Sequence, residues 1–65
     1  MKILVNGVWR ETAAAQLEAV LEELGYGESV VATAVNDEFI AAPIRAGTRL
    51  CEGDRVEVLA PMQGG

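Results

Sequence analysis

The sequence predicts a two-layer α+β domain, one helix laid across one sheet, with elements in the order β-β-α-β-β-β. Three observations carry that prediction. An Asn6-Gly7 pair sits between two short apolar stretches, a single amphipathic helical pattern follows, and β-branched stretches recur at 30–35 and 55–59. A helix with one apolar face needs one sheet to cover it, and two layers around one core result.

The chain opens with residues 2–6, rich in Ile, Leu and Val, which read as a strand, and Asn6-Gly7 closes it into a hairpin. A type I′ turn needs φ > 0 at both central residues, which Asn and Gly tolerate best. Val8 to Thr12 then pairs back as the second strand. Thr12 is expected to cap the helix, its hydroxyl accepting from a free N–H of the first turn. Ala13, Leu17, Val20, Leu21 and Leu24 fall on one helical face, while Gln16, Glu18, Glu22 and Glu23 take the other. Gly25 is placed to end the helix in the left-handed conformation.

Val30 to Val35 has the continuous apolar character of a strand buried on both faces. That conflicts with a sheet whose second face is open. Either the small Ala32 and Ala34 ease the conflict, or the open face is where a partner docks. Asn36-Asp37-Glu38 turns the chain, Phe39-Ile40 pairs back briefly, and Pro43 ends that strand. Residues 43–52 lack a period and read as an irregular connection anchored by Ile44 and Leu50. Gly53-Asp54 is a turn, and Arg55 to Leu59 is the last strand, with Val56 and Val58 on the same side. Trp9 and Phe39 are expected to pack, although the outer face of Trp9's hairpin could meet a partner. The expected division is a domain at 1–60 and a flexible tail at 61–65.

Composition narrows the function. With 65 residues the chain is one domain, and one cysteine and no histidine exclude an internal disulfide and a Cys/His zinc site. The same absence of histidine excludes Ser-His and Cys-His nucleophile pairs. A net charge of −5 with scattered basic residues argues against nucleic acid as a partner. No apolar run approaches the ~20 residues that cross a bilayer, so no membrane role is expected. The first residues enter a strand pattern at once, without a signal-peptide core, and the single Cys51 suits a reducing cytoplasm. The neighbouring carboxylates Glu22-Glu23 and Asp37-Glu38 read as solvated surface charge, and Cys51 as a tolerated thiol.

Chemistry is left to the terminus. Gly64-Gly65 as a final pair arises by chance in only about 1 chain in 200 at ~7% glycine usage. Such an end can thread a narrow channel in another enzyme and present its carboxylate to ATP there. A carboxylate is a poor electrophile until adenylation makes one oxygen part of a good leaving group. A linker cut short, or a neutral tail, is the other reading of the same residues.

The Asn6-Gly7 hairpin, the helix ending in Leu24-Gly25, Val35-Asn36 before Phe39-Ile40, Leu50-x-x-Gly53-Asp54-x-Val56 and Gly64-Gly65 together resemble the ThiS family. These are the sulfur carriers of thiamine thiazole synthesis, and the resemblance covers essentially the whole chain. Leu-x-x-Gly-Asp-x-Val with a Gly-Gly end is shared by sulfur carriers generally. The Val-Asn turn and compact length favour ThiS over the longer molybdopterin-synthase small subunits. The chain departs from many relatives at Ala41 to Arg49, where it is smaller and more apolar. The resemblance implies a ubiquitin-like β-grasp, a mixed sheet of four or five strands packed on one helix. It implies that an E1-like adenylyltransferase of the ThiF type, using ATP and Mg²⁺, activates the Gly65 carboxylate. It further implies that a cysteine desulfurase supplies sulfur, and that a ThiG-type thiazole synthase takes it from the Gly65 thiocarboxylate. Met62, Gln63 and Gly64 would be the tail residues presented to those partners, and the carrier itself would be no enzyme and keep no cofactor. A carrier for molybdopterin or cysteine synthesis, or a β-grasp interaction module with an incidental Gly-Gly, are the alternatives.

Overall fold

The computed structural model describes residues 1–60. Strands β1 (Lys2–Val5) and β2 (Val8–Glu11) precede helix α1 (Leu17–Glu23). Strands β3 (Ala32–Val35) and β4 (Glu38–Ile40), a 3₁₀ helix (Ala42–Gly47) and strand β5 (Arg55–Leu59) follow. The five strands form one sheet in the order β2-β1-β5-β3-β4. β1 pairs parallel with β5, and the other neighbours pair antiparallel. A mixed sheet with the last strand inserted at its centre and a helix across one face is the β-grasp arrangement.

Both hairpins turn on positive φ. Asn6 (49°) and Gly7 (81°) link β1 to β2, and Asn36 (50°) and Asp37 (72°) link β3 to β4. Asn and Asp adopt this region at modest cost, so both two-residue turns match the right-handed twist of the strands they join.

The core lies between the helix and one sheet face. Ile3 and Val5 of β1, Val56 and Val58 of β5, and Ile40 of β4 meet Leu17, Val20 and Leu21 of α1, with Val31 and Leu50 completing it. Each such aliphatic side chain contributes on the order of 1.5–3 kcal/mol when fully buried. Only seven residues long, α1 is too short to be stable alone, and its packed face is what holds it. Its end follows the expected form. Gly25 has φ 92°, its N–H reaches the Glu22 carbonyl at 3.1 Å, and the Tyr26 N–H reaches that of Leu21 at 2.8 Å. These are the paired bonds of a Schellman ending.

The helix begins later than the alanine-rich sequence suggests, and Thr12 is not its cap. Gln16 holds that position and makes no side-chain cap bond. The Ala15–Leu17 stretch pairs instead with the chain before β5. The Leu17 N–H donates to the Thr48 carbonyl at 2.9 Å and the Leu50 N–H to that of Ala15 at 2.8 Å, with Gln16 bridging Arg49. Non-local pairing overrides alanine's helix preference here. The buried Thr12 accepts from the Ala14 N–H at 3.0 Å and donates to Glu23 Oε1 at 2.5 Å. It ties the hairpin to the far end of the helix.

Three further expectations are corrected. The 30–35 strand is shorter and buried on one face only: Val31 and Thr33 are buried while Val30 is 81% exposed. A single helix covers a single face, so nothing is available to cover the other. Ile44 is exposed and does not anchor the connection, although Leu50 is buried as expected. The anchor is Arg45, which donates from the 3₁₀ helix to Thr33 Oγ1 at 3.0 Å and the Val31 carbonyl at 2.6 Å. Trp9 and Phe39 are 55% and 67% exposed rather than packed. Each stands opposite a residue of the open face, Leu4 and Ala34 respectively.

The Leu50-x-x-Gly53-Asp54-x-Val56 stretch now has a physical account. Leu50 and Val56 enter the core, and Gly53 adopts φ 85°. Asp54 Oδ2 accepts from the Cys51 N–H at 2.8 Å, and Oδ1 accepts from Asn36 Nδ2 at 3.0 Å. The turn thereby fixes where β5 starts.

Candidate functional site

β5 lies between β1 and β3 and runs out of the sheet at Leu59 and Ala60, the last described residue. Both neighbours hold it, so the point of departure is tied to the rigid part of the fold. On the β3 side Ala32 stands opposite Leu59. On the β1 side the Asn6 amide spans Val58, with Oδ1 accepting its N–H at 2.9 Å and Nδ2 donating to its carbonyl at 3.1 Å. Beside the departure point Val30, Val31, Ala32, Leu59 and Ala60 line a shallow apolar groove of ≈ 320 Å³.

The open sheet face continues from there. Val56 and Val58 point to the helix, so Arg55, Glu57 and Leu59 point away from it. Leu4 and Trp9 share this face at one end, Ala34 and Phe39 at the other. Lys2 Nζ lies 6.0 Å from the Trp9 ring centroid, an exposed cation–π contact. Arg55 pairs with Asp37 at 3.0 Å, and the hydrogen bond to Asp37, with its charge, raises the guanidinium pKa above its ordinary value. This face therefore carries the exposed apolar side chains of Trp9, Phe39 and Leu59 beside the Arg55–Asp37 pair.

Met62, Gln63, Gly64 and Gly65, the residues singled out from the sequence for chemistry, lie outside the described residues, as does the expectation of a flexible tail at 61–65. The described residues supply the root of that tail and the surface beside it. Cys51 is exposed in the turn before β5. Among the described residues no three His, Cys, Asp or Glu side chains gather as a metal site requires, and no helix is long and apolar enough to cross a membrane. Sequence reasoning missed the Asn6–Val58 contact, because it used Asn6 only as a turn former. The choice of Asn, with both a donor and an acceptor, was the available signal.

Comparison with known proteins agrees with this geometry. The ThiS family model matches residues 3–65. The crystal structure of the thiamine biosynthesis protein ThiS from Geobacter metallireducens is similar at a TM-score of 0.83 and 28% identity, over 100% of both chains. The solution structure of a thiamine biosynthesis protein from the same organism gives 0.80 and 28%, over 100% of this chain and 88% of that one. No curated protein matches. A family match that runs from β1 through the final Gly-Gly covers nearly the whole chain, and the chain belongs to the ThiS family.

Proposed function

We propose that this chain is the cytoplasmic sulfur carrier of thiamine thiazole synthesis, and that it works through the carboxylate of Gly65 rather than through a side-chain active site. The observation that carries the reading is the family match extending to residue 65, on a fold whose central strand ends at Leu59, six residues before Gly65. A central strand is a stiff mount, and two terminal glycines carry no side chain to obstruct a narrow channel.

The chemistry follows from what a carboxylate lacks. In a ThiF-type adenylyltransferase one Gly65 oxygen attacks the α-phosphorus of ATP, with Mg²⁺ held by that enzyme, and pyrophosphate leaves. The acyl adenylate is an electrophile. A persulfide from a cysteine desulfurase displaces AMP to give an acyl disulfide, and a second thiol attacks its cysteine sulfur, forming a disulfide with that cysteine and releasing the thiocarboxylate. A ThiG-type thiazole synthase then receives the sulfur. The carrier contributes reach through Met62, Gln63 and Gly64, and recognition through Trp9, Phe39, Leu59 and the groove beside Val30. It catalyses no step and holds no resident cofactor.

Deletion of Gly65 tests the reading. The truncated chain should keep its unfolding midpoint and release no pyrophosphate with ATP and the adenylyltransferase, while the intact chain does. Pyrophosphate release at the same rate from both chains contradicts it. An intact chain that is thiocarboxylated but refused by thiazole synthase belongs to another sulfur pathway.

A further inference from the structure

β1 and β5 pair as parallel strands only as far as Val5 and Val56, because the backbone turns away at Asn6 toward β2. The last main-chain bond on this side runs from the Asn6 N–H to the Val56 carbonyl, at 2.9 Å. The next rung would need a main-chain acceptor and donor from a strand that has left. The Asn6 side chain supplies both, to the N–H of Val58 at 2.9 Å and to its carbonyl at 3.1 Å. The amide thus stands in for a peptide group and carries the ladder one rung past the end of β1.

Val58 has no alternative partner in β3. The Asn36 N–H donates to the Arg55 carbonyl, so antiparallel alternation turns Arg55, Glu57 and Leu59 toward β3 and leaves Val56 and Val58 facing β1. With Val58 only 7% exposed, water replaces a lost partner poorly. Asp in place of Asn would accept but could not donate.

We propose that Asn6 is a positioning residue for the tail: by clamping both main-chain groups of Val58 it holds the β1 side of β5 to its end, beside the β3 pairing that runs to Leu59, and so helps fix the origin and reach of the segment that ends at Gly65. From Val58 that segment extends at most about 25 Å. Fraying at Val58 lengthens it and loosens its direction, so a partner that must hold the tail has more to order on binding. This role rests on the sulfur-carrier reading.

The fold provides a matched control. At the other end of β5, Asn36 has φ 50° and its Oδ1 accepts from the Arg55 N–H at 2.9 Å. Asn6→Gly and Asn36→Gly each remove side-chain bonds to β5 and leave a residue that accepts positive φ. Full-length wild type and both variants are compared by amide exchange at Val58 and by KM and kcat for adenylation. Asn6→Gly should lose Val58 protection and raise KM about five- to tenfold with kcat little changed, as loss of uniform binding requires. Asn36→Gly, destabilised comparably, should leave KM within about twofold. Unaltered Val58 exchange in Asn6→Gly, or equal KM changes in the two variants, overturns the proposal. Should Asn6→Gly fail to fold, Asn6→Asp keeps the acceptor for the Val58 N–H, sets a carboxylate oxygen against the Val58 carbonyl in place of the donor, and must still raise KM. A wild-type chain that a competent adenylyltransferase ignores overturns the sulfur-carrier reading itself, and the exchange data then decide the clamp separately.

Discussion

Arg45 and Thr33 form the joint between the 3₁₀ helix and the sheet. The guanidinium Nε donates to the buried Thr33 hydroxyl at 3.0 Å, and that hydroxyl donates onward to the Ile40 carbonyl at 2.8 Å. A second arm of Arg45 takes the Val31 carbonyl at 2.6 Å. A buried hydroxyl in the middle of an apolar face is tolerated because each of its bonds is made.

Arg45→Met keeps the aliphatic stem and removes both arms. It should destabilise the domain by about 1.5–3 kcal/mol, the usual range for hydrogen bonds to a charged group. Urea unfolding of the two chains measures this, and a change within about 0.5 kcal/mol would place the anchor elsewhere.

Leu21→Ala truncates a side chain that is 4% exposed on the packed face of α1. The expected loss is about 2–5 kcal/mol, transfer and cavity together. The same measurement on this variant tests the assignment of the helix face.

Gly25→Ala isolates backbone strain. Nothing lies within 4 Å of a Cβ at this position, yet φ is 92°. The cost should therefore be conformational alone, about 1–2 kcal/mol. A larger loss would point to a steric contact that the fold does not contain.

Leu59→Ser and Phe39→Ser alter the open face without touching the core, since both side chains are 67% exposed. Stability should stay within about 0.5 kcal/mol. The adenylyltransferase KM should rise, more for Leu59 because it borders the tail. Unchanged KM for both variants would remove the open face from the recognition surface.

The elements of this fold were legible where local pattern and tertiary demand coincide. Asn6-Gly7, the Leu17-Val20-Leu21 face, Gly25 and the Val56-Val58 alternation each state their structural role in the sequence. Thr12 misled because a hydroxyl before alanines looks like a cap, whereas residues 15–17 are claimed by Thr48 to Leu50, far away in the chain. Val30 misled because a run of β-branched residues does not reveal which of them lies before the strand begins. Trp9 and Phe39 misled through size alone. Their strand register, opposite Leu4 and Ala34, decides their face. Of the candidate site, Gly64 and Gly65 are an expectation from the sequence that lies outside the described residues. The clamp at Val58 could not be read from the sequence, because it joins residues at opposite ends of the sequence and appears only once β5 is placed beside β1.

The central claim is that Gly65 carries sulfur, and mass analysis of its C-terminal peptide tests it most directly. The chain is incubated with ATP, Mg²⁺, the adenylyltransferase and a persulfide donor, then treated with a thiol alkylating agent. Replacing oxygen by sulfur adds nominally the same mass as oxidising Met62, so the alkyl group is the diagnostic. A Cys51→Ala background removes the exposed thiol that would also react. The account predicts one alkyl group, mapped to Gly65 and dependent on ATP. An unalkylated Gly65, with an adenylyltransferase active on its own carrier, would contradict it.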